Sequence, residues 1–446
     1  MKNHYKKQWF TSKDTAKQAM IDTGCWSNQQ LMGRRWAIGC VALEITQRCN
    51  LDCSLCYLSE HSEAVADIPI EEIFRRIDQI YSLYGPNTDV QVTGGDPTLR
   101  QRDELISIIR YIKQKNMRTT LMTNGIRATR PLLIELAQAG LTDVAFHVDT
   151  TQNIKHATDE KSLNNTRLKY INNTKGSGLS VMFNTTIHKD NFNDVPDLVR
   201  FFKSHADSIR TVSFQLQADI GRGIAGKRDI VITPDTVWKE IEEALGTRLN
   251  HDAIQAGHKH CNRYAMSLIT NGKAYDLFAE SDFISELQTA TAHITLDRKY
   301  KLKTAAKIFY WSLSQPAYIL PISKWACRLF KKIKNDLLKS KGKINSLSFF
   351  IHNFMDACHI EQERIDACVF NTMTQDGPVS MCQHNAKRDD YILKSIPVIK
   401  DQEIKFWHPL EAKYYKNNPQ ISLQNPLKYP LKKQKGKSRL SHCLDK

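Results

Sequence analysis

Residues 46–60 read TQRCNLDCSLCYLSE and hold Cys49, Cys53 and Cys56 at the spacing C-x3-C-x2-C. Three thiolates are one short of a closed tetrahedral zinc site, which normally draws on two paired CxxC knuckles. They are also one short of the four that usually saturate an iron–sulfur cube. No partner pair lies nearby in the chain. The spacing therefore points to a centre with one coordination position open to a small molecule. The preceding run, GCVALEIT, is apolar and β-branched. It reads as a buried strand, so the cysteines emerge at a strand C-terminus, where α/β barrels gather their chemistry.

Outward from this loop the chain alternates β-rich and helical runs from residue 38 to about 225. DVQVTGGDP, RTTLMTNG, DVAFHVDT, LSVMFNTTIH and RTVSFQLQA read as further strands. IEEIFRRIDQIYSLY carries Ile70, Ile73, Ile77, Ile80 and Tyr84 at helical spacing. ELISIIRYIKQK, PLLIELAQAG and VPDLVRFFKSH complete the helices, the second opened by Pro131 and stopped by Gly140. Repeated β-then-α units predict a parallel sheet with right-handed crossovers. The expected fold is α/β: a partial (β/α)6 TIM-like barrel over 38–225, after an N-terminal segment 1–37, followed by an α+β C-terminal extension.

The cysteine spacing, with the aromatic Tyr57 after the third cysteine, resembles the signature of the radical S-adenosylmethionine (radical SAM) superfamily. TGGDP (residues 93–97) is similar to that family's Gly-Gly-Glu-Pro motif, TNG (123–125) is typical of its next strand, and HVD (147–149) stands where many relatives carry Ser-Leu-Asp. The resemblance covers about 38–225. It implies a [4Fe–4S] cluster on Cys49, Cys53 and Cys56, whose free iron chelates S-adenosylmethionine. It further implies cofactor contacts at Tyr57, Gly94, Gly95, Asp96, Pro97, Thr123, Asn124, His147 and Asp149. Asp96 is one methylene shorter than the family's commoner Glu. Asn184, Thr186 and Gln215 end later strands and are weaker candidates; no catalytic side chain is singled out. The implied reaction is reductive cleavage of the cofactor to a 5′-deoxyadenosyl radical that takes hydrogen from a substrate. The rival from another class is a non-catalytic iron–sulfur or zinc protein acting in binding or redox.

The second half divides into a linker helix and first hairpin (226–299), basic aromatic helices (300–345), a second hairpin region (346–410) and a basic, flexible tail (411–446). TPDTVWKEIEEALG is a helix capped by Thr233. One hairpin turns at Asn271-Gly272 and the other at Asp376-Gly377, each with a cysteine before it, like a degenerate repeat. Cys368, Gly377 and Cys382 resemble the start of the SPASM or twitch extensions of radical SAM enzymes. That resemblance implies an auxiliary [4Fe–4S] cluster on Cys261, Cys358, Cys368 and Cys382. Cys25, Cys40, Cys327 and Cys443 are read as bystanders.

Among 446 residues, 63 Lys and Arg face 47 Asp and Glu, a net charge of +16 that favours anionic partners. The excess concentrates in 298–343 and in the tail. The first of these suits either peripheral contact with an anionic membrane through 300–343 or ordinary helices with a solvated basic face. A nucleic-acid partner finds no recognisable module. The N-terminus shows no signal-peptide pattern and no run reaches membrane-span length, which predicts a cytoplasmic protein, with contact at the inner membrane face as the option. In that reducing setting the cysteines favour metal or catalytic roles. An electron donor such as flavodoxin or ferredoxin is implied by the resemblance. The substrate stays open, with a lipid or other amphiphile and a peptide ahead of RNA; the absence of a corrinoid-domain pattern argues against cobalamin-dependent methylation.

Overall fold

The structure, a computed structural model, describes residues 15–155, 157–223, 228, 230–295, 301–400 and 402–421. The alternation in the sequence is realised strand by strand. β1 (Cys40–Thr46), β2 (Asp89–Gly94), β3 (Arg118–Thr123), β4 (Asp143–His147), β5 (Ser180–Ile187) and β6 (Ile209–Leu216) lie side by side in chain order, each parallel to the last. Helices Ile70–Tyr84, Arg102–Gln114, Arg130–Ala139, Asn164–Thr174 and Val195–Ser204 make the crossovers.

The strand period of two and the helix period of 3.6 meet in one core. Val41, Leu43 and Ile45 of β1 are fully buried and join Ile73, Ile77 and Ile80 of the first helix in it. Each such side chain contributes roughly 1.5–3 kcal/mol on burial. Phe146, Phe183 and Phe202 extend the core across β4, β5 and a covering helix, with ring centroids 5.8 and 5.6 Å apart. The alternate face of β1 carries Glu44 and Thr46, both buried.

The sheet does not stop near residue 225. The hairpin β7 (Asn262–Thr270) and β8 (Lys273–Asp276) turns at Asn271-Gly272 as expected and pairs with β9 (Asn345–His352), which runs parallel to β6. At the other edge β10 (Phe370–Thr374) runs parallel to β1, with β11 (Gly377–Ser380) outside it. The extension thus lengthens the barrel sheet at both ends, to eleven strands in all. The two hairpins are not equivalent, one antiparallel to β9 and one parallel to β1. The second turns on Gln375-Asp376, because Gly377 already pairs with Thr374. β9 itself was not foreseen.

Thr233 caps helix Pro234–Leu245 with a reciprocal capping box to Thr236. Helices Lys301–Ser314 and Ile319–Lys339 form the basic segment. A three-stranded antiparallel sheet, β12 (Ile396–Lys400), β13 (Glu403–His408) and β14 (Lys413–Tyr415), follows. β14 lies inside the stretch expected as tail; the rest of that tail from residue 422, with Cys443, lies outside the described residues. No helix among the described residues is long and apolar enough to cross a membrane.

Candidate active site

The cysteine loop leaves β1 and is clamped from three sides by backbone and from a fourth by a side chain. Gly95 N donates to Thr46 O (2.9 Å) and Asp96 N to Arg48 O (2.8 Å), tying it to the end of β2. Ser54 N donates to Thr151 O (2.7 Å), tying it to the segment after β4. Gly223 N donates to Cys56 O (3.0 Å) and Arg222 N to Leu58 O (2.8 Å) from beyond β6. Arg388 Nε donates to Tyr57 O (3.1 Å) from the extension. The glycine pair is explained within the chain: a Cβ on Gly95 would stand 2.0 Å from Arg48 O. Gly223 is the counterpart, where a Cβ would stand 2.0 Å from Cys56 N. No wider side chain fits either contact.

Asp96 is buried and fully engaged. One carboxylate oxygen accepts from Thr98 N (3.0 Å) and Thr98 Oγ1; the other accepts from Thr123 Oγ1 (2.8 Å) and Asn124 N (2.9 Å). It therefore joins TGGDP to TNG. Pro97 opens the short helical turn behind it. Asn124 Nδ2 turns toward the cysteines, 2.7 Å from Asn50 Oδ1 and 3.9 Å from Cys49 Sγ.

At the end of β4, His147 Nε2 stands 2.6 Å from Asp149 Oδ2. Burial alone would lower the imidazole, but the Asp149 carboxylate overrides it and raises it. Burial would raise Asp149; His147, Thr151 and the Thr186 amide outweigh this and hold it well below the carboxylate range. His147 keeps part of its ring exposed while Asp149 is sealed. A buried Arg167–Glu160 ion pair supports this segment, with Glu160 accepting from Thr150 N (2.9 Å). Asn184 and Thr186 are buried on β5, and Asn184 O accepts from Val148 N.

Three charged residues that the sequence reading passed over complete the site. Arg222 is buried between Asp52 and Glu63, with Nη1 3.3 Å from Glu63 Oε1 and with Nε and Nη2 lacking hydrogen-bond partners among the described residues. Glu44 projects from β1 to Arg388, whose Nη1 donates to both its oxygens (2.7 and 2.9 Å). The same guanidinium covers the Tyr57 ring, 4.8 Å from its centroid. Burial pushes Glu44 up, but Arg388 and His384 more than offset it and bring it to about 2. A lone acid in CVALEIT was a readable signal for Glu44, and Gly221-Arg222-Gly223 for Arg222; Arg388 had none.

The donor set suits an anionic iron–sulfur cluster. Burial, then Cys56, Asp149 and Cys49, pushes the Cys53 thiol well above its ordinary value, while Arg222 pulls the other way. Burial, Asp96 and Cys56 likewise raise Cys49. A metal ion would stabilise Cys49 and Cys53 as thiolates, with the buried Arg222 cation beside them. Of the four cysteines expected to hold an auxiliary cluster, Cys261, Cys368 and Cys382 line one cavity with His352, Met355 and Arg364. Burial pushes the Cys382 thiol up to about 12 and raises Cys368 and Cys261. Arg364 Nε lies 3.2 Å from Cys261 Sγ. Cys358 is exposed and does not line this cavity.

Comparison with known proteins follows the same residues. The model of the Radical SAM superfamily matches residues 43–202. Fe-coproporphyrin III synthase of Methanosarcina barkeri is 28% identical over 188 residues, 41% of this chain and 45% of the relative. PqqA peptide cyclase of Bradyrhizobium diazoefficiens is 24% identical over 224 residues, 48% of this chain and 57% of the relative. The chain thus spans about half the length of these curated relatives. SuiB of Streptococcus suis, solved bound to the precursor peptide SuiA, superposes with a TM-score of 0.35 at 17% identity, over 43% of each chain.

Proposed function

We propose that this chain, whose residues 43–202 match the model of the Radical SAM superfamily, is an enzyme that binds a [4Fe–4S] cluster and S-adenosylmethionine to modify a peptide. Cys49, Cys53 and Cys56 would hold the cluster, and three thiolates would leave it open to the cofactor. When bound, the pair supplies one-electron cleavage of a carbon–sulfur bond, giving methionine and a 5′-deoxyadenosyl radical that takes hydrogen from an unactivated carbon. The chain's own residues position and shield. Asn124 faces Cys49, the His147–Asp149 pair borders Cys53, and Arg222 sets a positive charge beside the sulfurs. The observation that carries the reading is the clamping of one three-cysteine loop by the ends of β2 and β4 and by Arg222-Gly223.

The peptide class rests on the cavity beside the second cysteine group, with which it shares Asn353, Phe354, Met355 and Arg364. It lies past β5 and β6, measures about 210 Å³, and is lined by both signs of charge, among them Lys189, Arg228, Asp356 and Glu361, with Phe354. Ligand pockets for drug-sized molecules run about 300–1,000 Å³. This one suits an amino-acid side chain more than a macrocycle. The relative named PqqA peptide cyclase supports the same class. A second cluster on Cys261, Cys368 and Cys382, and an acidic flavodoxin or ferredoxin as electron donor to a chain of net charge +16, belong to this proposal.

Anaerobic reconstitution tests it. Dithionite-reduced protein is expected to convert S-adenosylmethionine to 5′-deoxyadenosine, and Cys53→Ala to lose this. Wild-type protein loaded with iron and sulfide that forms none rules the enzyme out in favour of a binding or redox role. About eight irons per chain, falling to about four in Cys368→Ala/Cys382→Ala, are expected from two cubes; about four in both removes the second cluster.

A further inference from the structure

The helices Lys301–Ser314 and Ile319–Lys339 are built inside out. An ordinary amphipathic helix packs its apolar stripe on the core and turns its charges to water. Helix 319–339 does attach by one face: Trp325 meets Phe283 at 6.2 Å, Ile333 is buried, and Asp336 accepts from Asn271 Nδ2 (2.7 Å), Lys273 Nζ (3.0 Å) and Tyr275. Its outward face nevertheless keeps Leu320 and Leu338 at 61% and 77% exposure, with Phe330 beside them and Lys324, Lys331 and Lys334 between. Helix 301–314 repeats the arrangement. Leu302, Phe309 and Leu313 fall on one side at i, i+7 and i+11, exposed, with Lys303 and Lys307 along the flank.

These features are concentrated here. Of the seventeen large apolar side chains exposed among the described residues, nine lie in 302–344. Residues 301–343 hold eleven Lys and Arg against Asp336 alone, and Asp336 is committed to Asn271, Lys273 and Tyr275. That is ten of the sixteen net positive charges. A surface both greasy and cationic matches a bilayer whose headgroups are anionic and whose acyl boundary is apolar.

We propose that these two helices dock the protein flat on an anionic lipid bilayer. Leu302, Phe309, Leu313, Leu320, Phe330 and Leu338 enter the acyl boundary while the lysines meet lipid phosphate. Neither helix spans. The anchor point sets the orientation. Asp336 grips the Asn271-Gly272 turn, which lies at the end of the sheet opposite the cysteine loop, because β7 runs antiparallel to β9 and β9 parallel to β6. The bilayer is therefore a tether, and substrate reaches the cysteines from the far end. The inference stands apart from the proposed reaction.

Flotation of the full-length protein with vesicles of phosphatidylglycerol and phosphatidylcholine, and with phosphatidylcholine alone, tests it. Anionic vesicles are expected to bind at least about tenfold more tightly than neutral ones. Each lysine near such a surface is worth about 1 kcal/mol, so Lys331→Glu/Lys334→Glu is expected to weaken binding by about thirtyfold or more. Phe309→Ala/Leu313→Ala/Phe330→Ala keeps every charge and is expected to weaken it by about tenfold. All five side chains are exposed or flank exposed ones, so the variants are expected to melt as wild type does. Equal partition into both vesicle types by the wild type alone overturns the proposal, with no variant needed. So does triple-alanine protein that binds as wild type does, or capture by single-stranded RNA without capture by vesicles, since either assigns the patch to polyanions in general.

Discussion

Asp96 occupies the position where the family motif implies a cofactor contact, and its carboxylate is consumed by four donors of the chain itself. Removing a buried acceptor strands its donors without water. Asp96→Ala is therefore expected to lower stability by at least about 3 kcal/mol in urea denaturation of the metal-free protein, with Asp96→Asn falling between. A loss under about 1 kcal/mol would show the carboxylate free for a ligand. Arg222 is the opposite case: a buried cation whose Nε and Nη2 have no hydrogen-bond partner among the described residues. Reduction adds negative charge to a cluster, so a nearby guanidinium favours the reduced form. Arg222→Gln is expected to make the reduction potential of the reconstituted cluster more negative, with Arg222→Lys closer to wild type, read by potentiometric titration with electron paramagnetic resonance. An unchanged potential in Arg222→Gln assigns the residue to bridging Glu63 and Asp52 only.

At the scale of elements, β1 carries the argument. Its Val41, Leu43 and Ile45 face the helices, and the alternate position puts Glu44 inside, on Arg388. The Glu44 carboxyl sits at about 2, below the free value of 4.5. A depressed acid stabilises the fold fully above the unfolded value and loses that contribution as pH falls toward the folded one. Here the window runs from about 4.5 down to about 2, and the shift corresponds to something on the order of 3 kcal/mol. In Glu44→Gln, Arg388 is left buried without its anion, so the variant is expected to melt below wild type at neutral pH. That gap should narrow steadily as pH drops through 4.5 toward 3. A gap constant over this range would show that Glu44 is not the titrating group. This pair also marks what the sequence carried. TGGDP and TNG are legible because each is local, a strand end whose glycine or hydroxyl meets the neighbouring strand end. The Glu44 partner lies 344 residues away, and no local pattern encodes such a contact.

The same limit operates on the whole molecule. The six parallel strands were readable because each βα unit announces the next, but NSLSFFIH is a short apolar run between a basic helix and a loop, and nothing local ties it to β6. The division at residue 225 follows from that blindness. In the structure β6 is covered by β9 and β1 by β10, so the barrel has no free edge among its six strands. Cutting the chain there uncovers two parallel edges, each a row of unpaired backbone donors and acceptors ready to join another chain. It also strips Arg388 from Glu44 and from the Tyr57 carbonyl. A fragment of residues 38–225 is thus expected to aggregate or to remain loosely packed, with strong dye binding by exposed apolar surface and no cooperative melt, although it contains the cysteine triplet, TGGDP and TNG. Recovery of a soluble, cooperative fold on addition of the separate 226–446 fragment is expected, because the missing edges and Arg388 return together. A stable monomeric 38–225 fragment that incorporates iron by itself would show that the extension is an appendage and not the closing wall of the barrel.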